Sequence, residues 1–594
     1  MASDKTPKTP EHPGPASGNP WNDDTLAANV PLALDHAFSH PPEQALDLII
    51  SHPLAPSLVR SMSGQDLYLL VREVGPGDST PLMALADDEQ WRYMMDMEAW
   101  RGDRFDLDAF EKWGELLYEA APERAVRWLA DQELEAVELW LHKTTQVVAL
   151  AEDEPPDDLP EGFMSFDGVL YFRLLHPSAP SVDEEPGEEQ PEPLERTFAL
   201  DFLKHLAAVD YLHFQKMLFE TQGVIAAEME EELYRLRNVR LAEAGFAPYE
   251  EAVGVYQPLT PEQVEARGPK FPPKRREKGD GHVVPMMPGR LVEPTDAFST
   301  ALAEVDDKES LDQLQNELAT LCNMVLVADK SVIEGREDLA RAVRKCSGYL
   351  GIGVRRMLDD KGHDERNARE VLLRYPLADI FRTGYGLAME LKWRALRIRR
   401  SGWFSSRGLG LGFWGEHWLG VLGGLLAPRP RFFDNFETGD MMYREFSSMR
   451  DIARTNAVLD GVRSADTLLG RCGFTEEELG LPNLTWKSLL LTHWAKDEVG
   501  PPEPDAPLSP AGLKTFFESL WTRDTPRRTR RERKQSFLEW LGVRCDCRGS
   551  ALDDLAGPIP DLLFEELESE YSEVAPEHLD SRYILMFSVK PAKT

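Results

Sequence analysis

Residues 42–75 read PEQALDLIISHPLAPSLVRSMSGQDLYLLVREVG, and this stretch decides the fold class. Leu67, Leu70, Val71 and Val74 recur at i, i+3, i+4 and i+7, the spacing of one helix face. His52-Pro53 and Gly75-Pro76-Gly77-Asp78 punctuate the helical text on either side. Pro42 followed by Glu43 marks a helix start. Proline lacks an N–H that the first turn leaves unpaired anyway, and a carboxylate favours the positive helix end. The same start recurs at Pro122-Glu123, and Phe110, Trp113 and Leu117 repeat the one-face spacing. Short helices with recurring starts predict a curved helical array or superhelix over 26–150.

Working outward, residues 1–25 carry no apolar signal core and read as a disordered tail. Between 151 and 196 the chain holds 14 acidic residues against two basic ones and includes the Pro/Glu run VDEEPGEEQPEP. This is an acidic linker, and only GFMSFDGVLYFRLL inside it alternates like a strand, near 166–174. Helical text returns over 197–257, with Leu203, Leu206, Phe214 and Met217 on one face and Asp210 on that same face. A Pro/basic linker (258–295), a C-terminal helical domain (296–497), a linker (498–510) and a small terminal α+β unit (511–594) complete the division. Tyr583 to Val589 is β-like. The expected fold is mainly α and multidomain: an array, then helical bundles, with minor β near 166–174 and 583–589.

Size and charge narrow the function. A chain of 594 residues exceeds one core; about three to five units are the prior. A formal charge of −37 repels polyanions, so nucleic acid is disfavoured as a general partner and a basic protein surface is favoured. Five cysteines form no disulfide framework and fit a reducing, cytoplasmic setting. The segment GLGLGFWGEHWLGVLGGLLA at 408–427 is long enough to test membrane insertion. Glu416, His417 and seven glycines argue against it, and a buried helix pair with a glycine turn is the expectation.

The densest polar text is EMEEELYRLRNVRLAEAGFAPYEE at 228–251. Glu231 and Arg235 are spaced as a favourable i, i+4 pair. With Arg237, Asn238, Arg240 and Glu243 they read as a salt-bridged helix, or as an arginine cluster able to fork-bind a carboxylate or phosphate. Asp210 is a candidate buried partner for one of these arginines, and His213, three residues on, allows an acid–base pair. Gly410 to Gly415 fits G-x-G-x-x-G without the preceding strand that a dinucleotide site needs, and Gly348, Gly351 and Gly353 likewise lack that context, so no cofactor is expected. Cys545-Asp546-Cys547 lacks a second ligand pair for zinc, no H-E-x-x-H occurs among 13 histidines, and no metal is expected. The basic run RDTPRRTRRERK at 523–534 is a solvated helix start or a docking point for an acidic surface.

The segments LIISHPLAPSLVRSMSGQDLYLLVREVG, QWRYMMDMEAW (90–100), PEGFMSFDGVLYFRLL and EEELYRLRNVRLAEAGFAPYEEAVGVY (230–256) resemble an uncharacterised bacterial family, mainly deltaproteobacterial and defined as a domain of unknown function. That resemblance covers most of the chain and implies no activity. Residues 42–150, with helices opening P-E-x-A, also resemble the N-terminal superhelical domain of MgtE-type magnesium transporters, which bears on fold and not on function. The expected role is a cytoplasmic scaffold or regulatory protein-interaction protein without catalytic activity. The alternatives are an enzyme with a dispersed Asp/His/Arg site around 210–240 and a peripheral membrane factor acting through 402–427.

Overall fold

Proline and capping side chains start the helices of the N-terminal half. Pro42 and Pro122 each occupy a first turn, in Pro42–Ser51 and Pro122–Gln132. Ser63 accepts from the Asp66 N–H to begin Gly64–Val74, and Asp87 with Gln90 forms a capping box for Asp88–Glu98. The computed structural model describes residues 29–150, 159–175, 198–243, 245–271, 287–292, 297–331, 335–358, 365–480, 484–500, 507–523, 527–580 and 583–590. The tail at 1–25, the Pro/Glu run at 182–193 and parts of the 258–295 and 498–510 stretches lie outside them.

The chain divides into two units. The first comprises 1–255, 272–292 and 306–343. Its array runs through Val30–Phe38, Pro42–Ser51, Ala55–Arg60, Gly64–Val74, Thr80–Leu85, Asp88–Glu98, Leu107–Ala120, Pro122–Gln132 and Leu134–Thr144. Leu67, Leu70, Val71, Phe110, Trp113 and Leu117 are all buried, as their spacing predicts. Buried polar groups fasten the turns. Gln90 donates to the carbonyls of Val59 (2.7 Å) and Met62 (2.9 Å), and the Trp91 indole donates to Met83 (2.8 Å). These bonds tie helix Asp88–Glu98 to the ends of Ala55–Arg60 and Thr80–Leu85. Gln65 and Asn323, both buried, join Gly64–Val74 to Lys308–Asp329 through an amide pair at 3.1 Å.

The strand expected near 166–174 is Leu170–Leu174, antiparallel to Thr145–Ala149, with Phe172 opposite Val147. Asp167 folds the turn before it: its carboxylate accepts from the Val169 and Leu170 N–H groups (both 2.8 Å) and from Gln215 (2.9 Å). The helical text after residue 197 is broken. Phe198–Val209 ends at Asp210, which caps Tyr211–Glu220 by accepting from the His213 N–H at 3.0 Å. Leu203, Leu206, Phe214 and Met217 are nevertheless all buried.

The second unit comprises 256–271, 293–305 and 344–594. Helix Pro261–Arg267, inside the stretch read as linker, opens with a Thr260/Gln263 capping box. The backbones of Arg336–Leu358 and Leu377–Arg400 touch within this unit. A Cβ on Gly353 would lie 2.1 Å from the Ile380 carbonyl oxygen, and one on Gly384 would lie 2.0 Å from that of Tyr349. These glycines serve close helix packing, not a phosphate. In the C-terminal helices Trp494 is the hub, with Phe516 at 4.9 Å, Phe537 at 5.2 Å and Phe564 at 6.0 Å between ring centroids. At 583–589 the β character is confined to one parallel bridge, Leu508 with Val589.

The apolar segment at 408–427 is a 3₁₀ turn (Leu411–Trp414) and a helix (Glu416–Leu426). Trp414, Leu422 and Leu425 are buried, and Trp418 stacks on Trp486 at 4.9 Å. Gly420 is required by the Phe433 ring, 2.4 Å from where its Cβ would stand. Among the described residues no helix is long and apolar enough to cross a membrane.

Candidate functional site

Helix Ala226–Glu243 carries the predicted polar cluster, and few apolar groups attach it: of its residues only Leu233 and Leu241 are buried. Polar contacts, and the Tyr234 ring 5.6 Å from that of Trp100, make up the rest. Glu230 accepts from the Phe105 N–H at 2.8 Å and pairs with Lys143 at 3.4 Å. Arg240 forks onto Asp96 through two bonds of 2.8 and 2.6 Å. Arg237 donates to the Asp96 carbonyl at 2.6 Å and lies 5.5 Å from the Trp100 ring centroid. Asp96 is buried. Burial lowers the pKa of Arg237. It also opposes the charge of Arg240, and the Asp96 carboxylate overcomes that, leaving the Arg240 pKa raised. Nearby Glu133 is pushed up by burial despite the Arg92 hydrogen bond at 2.7 Å.

The predicted residues therefore separate. The carboxylate that Arg240 holds is Asp96, whose backbone carbonyl takes Arg237, whereas Asp210 is exposed and spends its side chain on a helix cap. His213 faces Asp131, at 3.7 Å. Arg235 is exposed and pairs with Glu232, one position from the expected Glu231. Glu231 and Glu243 are exposed, and Asn238 is half-buried. Asp96 is the residue that sequence reasoning missed. Its signal was a carboxylate inside MMDME, where an unpaired charge among apolar neighbours is costly.

The first half of the same helix walls an open groove of about 960 Å³. Met229, Leu233 and Leu236 form its apolar side, with Phe219 and Ile225 at the turn entering the helix. Phe219 and Ile225 are 63% and 61% exposed, far more than apolar groups of a packed core. Glu135, Glu138, Glu220, Glu228 and Glu232 surround them; among the described residues no lysine or arginine lines the groove, while at its edge Lys216 pairs with Glu220 and Arg235 with Glu232. Burial and the neighbouring Glu220 carboxylate push Glu138 up to about 7, so this rim carries a group that titrates near neutrality.

Four side chains of the basic run at 523–534, those of Arg527, Arg530, Arg533 and Lys534, are engaged within their own unit. Arg527 donates to the carbonyls of Ser572 (2.9 Å) and Val574 (2.7 Å) beyond helix Ile559–Tyr571. Arg530 donates to Trp521 (2.6 Å), and Lys534 pairs with Glu568 (3.1 Å). Among the described residues no group of three or more His, Cys, Asp or Glu side chains is placed to hold a metal.

No curated protein and no solved structure matches the chain. A family model described as a family of unknown function (DUF6178) matches residues 29–590, and the chain belongs to that family.

Proposed function

We propose that this protein is a cytoplasmic scaffold or regulatory interaction protein, and that its acid-rimmed groove holds a basic amphipathic helix of a partner protein. The observation that carries the reading is the conjunction in one groove of exposed Phe219 and Ile225 with five glutamates. An apolar stripe would meet the floor and lysines or arginines the rim, the helix-in-groove mode of peptide recognition. The enzyme reading loses support because Arg237 and Arg240, which it would use, are engaged by Asp96.

The test is fluorescence anisotropy with the full chain and a labelled Leu/Lys amphipathic peptide of about 18 residues, roughly 27 Å as a helix. Ile225→Asp adds a negative charge while removing the apolar contact. Binding weakened about tenfold or more (about 1.4 kcal/mol) in this variant supports the groove. Unchanged or tighter binding attributes the attraction to net charge alone and sinks the reading, as does equal affinity for a peptide with the same residues in non-amphipathic order. Wild-type affinity should rise from pH 6 to pH 8 as Glu138 loses its proton and the rim gains charge, and Glu138→Gln should flatten that rise.

A further inference from the structure

Helix Met449–Arg471 and helix Arg531–Arg544 end against each other within the second unit. The first stops at Cys472, whose N–H bonds to the Leu468 carbonyl at 3.1 Å, and the second at Cys545, whose N–H bonds to that of Leu541 at 2.9 Å. Their sulfurs lie 3.0 Å apart, 73 positions apart in the chain. Both residues are buried, at 2% and 6% exposure. Beyond Cys545 the chain reverses at Asp546, which takes the left-handed conformation with φ of 49°. This lets the Cys547 N–H reach back to Gly542 at 3.0 Å, the Schellman arrangement of a helix end. The turn carries Cys547 outward, to a half-buried position. The neighbour in sequence is thus not the partner of Cys545; Cys472 is.

Arg544 is anchored beside the pair. Its Nε donates to the Cys472 carbonyl at 3.2 Å, its guanidinium stands 4.7 Å from the Phe474 ring centroid, and it pairs with Glu478. The two thiols are electrostatically unequal. The Cys472 hydrogen bond, then Arg544 and Arg471, lower the Cys545 pKa against the effect of burial, whereas Cys472 is raised by the same bond and by burial. A thiolate beside a cation is the reactive form of cysteine, and a second thiol in contact is the group that resolves its oxidised product.

We propose that Cys472 and Cys545 form a redox dithiol that a hydroperoxide converts to an internal disulfide. The Cys545 thiolate attacks the terminal peroxide oxygen, the O–O bond breaks, and the departing hydroxide or alkoxide takes up one proton, that released by the Cys545 thiol, and leaves as water or as an alcohol. Cys545 is then a sulfenic acid. The Cys472 sulfur attacks the Cys545 sulfur, the S–O bond breaks, and the hydroxyl leaves as water with the Cys472 proton. Two thiols lose two electrons and two protons, and one peroxide bond gains them. The sulfurs need to approach by only about 1 Å to reach bonding distance, so the helix ends hardly move. A dithiol reductant reverses the reaction by exchange. This site is independent of the groove in the first unit.

The test treats the reduced full chain with one equivalent of hydrogen peroxide, alkylates the remaining thiols and maps peptides without reduction. The expected product is a Cys472–Cys545 linked peptide, lost on adding dithiothreitol and formed equally in Cys547→Ser, with Cys322 and Cys346 recovered as thiols. The oxidised chain should also melt at higher temperature, because the new bond closes a long loop. In Cys472→Ser, Cys545 should accumulate as a dimedone-trappable sulfenic acid. The proposal is overturned if every thiol survives, if Cys545 links to Cys547, or if Cys547 alone is oxidised. The wild-type map decides between these outcomes even where the serine variant fails to fold.

Discussion

Asp96 is the residue on which the polar helix depends. It is 4% exposed and accepts both arms of the Arg240 fork, while its carbonyl takes Arg237. Asp96→Ala would leave the half-buried Arg240 guanidinium without its carboxylate, while Arg237 keeps the backbone carbonyl. A fully buried pair broken on one side costs about 3–5 kcal/mol, and the 31% exposure of the Arg240 side chain lowers this to about 2–3 kcal/mol. Urea unfolding followed by circular dichroism measures it, and a loss under about 0.5 kcal/mol, the level of an ordinary surface change, would show that the fork is ornamental. The arginines were legible in the sequence as a fork-binding cluster. Their partner was not, because it lies 144 positions from Arg240 and pattern reading sees only neighbours. The same blindness joined Cys545 to Cys547 and hid Cys472. Asp210 failed for another reason. The apolar spacing runs on through it because the helices on both sides bury a face, and a short carboxylate that can bond its own backbone prefers a helix start to a helix middle.

At the scale of elements, the helix faces were readable wherever the period was strong. Leu67, Leu70 and Val71 lie inside as their spacing requires, and the Pro-Glu starts are helix starts. Glycines were harder. A G-x-G spacing in a helix is silent about which neighbour comes close, and the second unit answers with backbone at Gly353 and Gly384. Gly384→Ala would push a methyl group to 2.0 Å from the Tyr349 oxygen, and backbone cannot yield as a side chain tip does. The expected cost is at least about 3 kcal/mol, the upper end for overpacking. Thermal unfolding should show the melting temperature falling by several degrees. Gly77, with nothing within 4 Å of its Cβ position, is the control and should tolerate alanine.

For the whole molecule, the formal charge of −37 sets how solution conditions act. Like charges on a folded unit repel more than on an extended chain, so added salt should stabilise the fold. Raising NaCl from about 10 to about 150 mM shortens the screening length from about 30 to about 8 Å. The calorimetric melting temperature should rise across that range, and a fall would mean that attractive ion pairs outweigh the net repulsion. The mainly α class and the small sheet at Leu170–Leu174 were legible at this scale because they follow from composition and period. The groove was not, since it is made by three helical segments whose exposed apolar groups look ordinary one at a time.

Helix Ala226–Glu243 is fastened by charge and hydrogen bonds, with only Leu233 and Leu241 buried along its length. Such an element detaches more readily than one seated on a broad apolar face, and ions compete for what holds it. One wall of the groove is thus an element that salt should loosen before the apolar faces of the array. The carboxylates that latch it, Glu230 and Asp96, lie outside the groove lining, so a cation-bearing visitor there would meet Glu228 and Glu232 while Lys143 and Arg240 keep the wall in place.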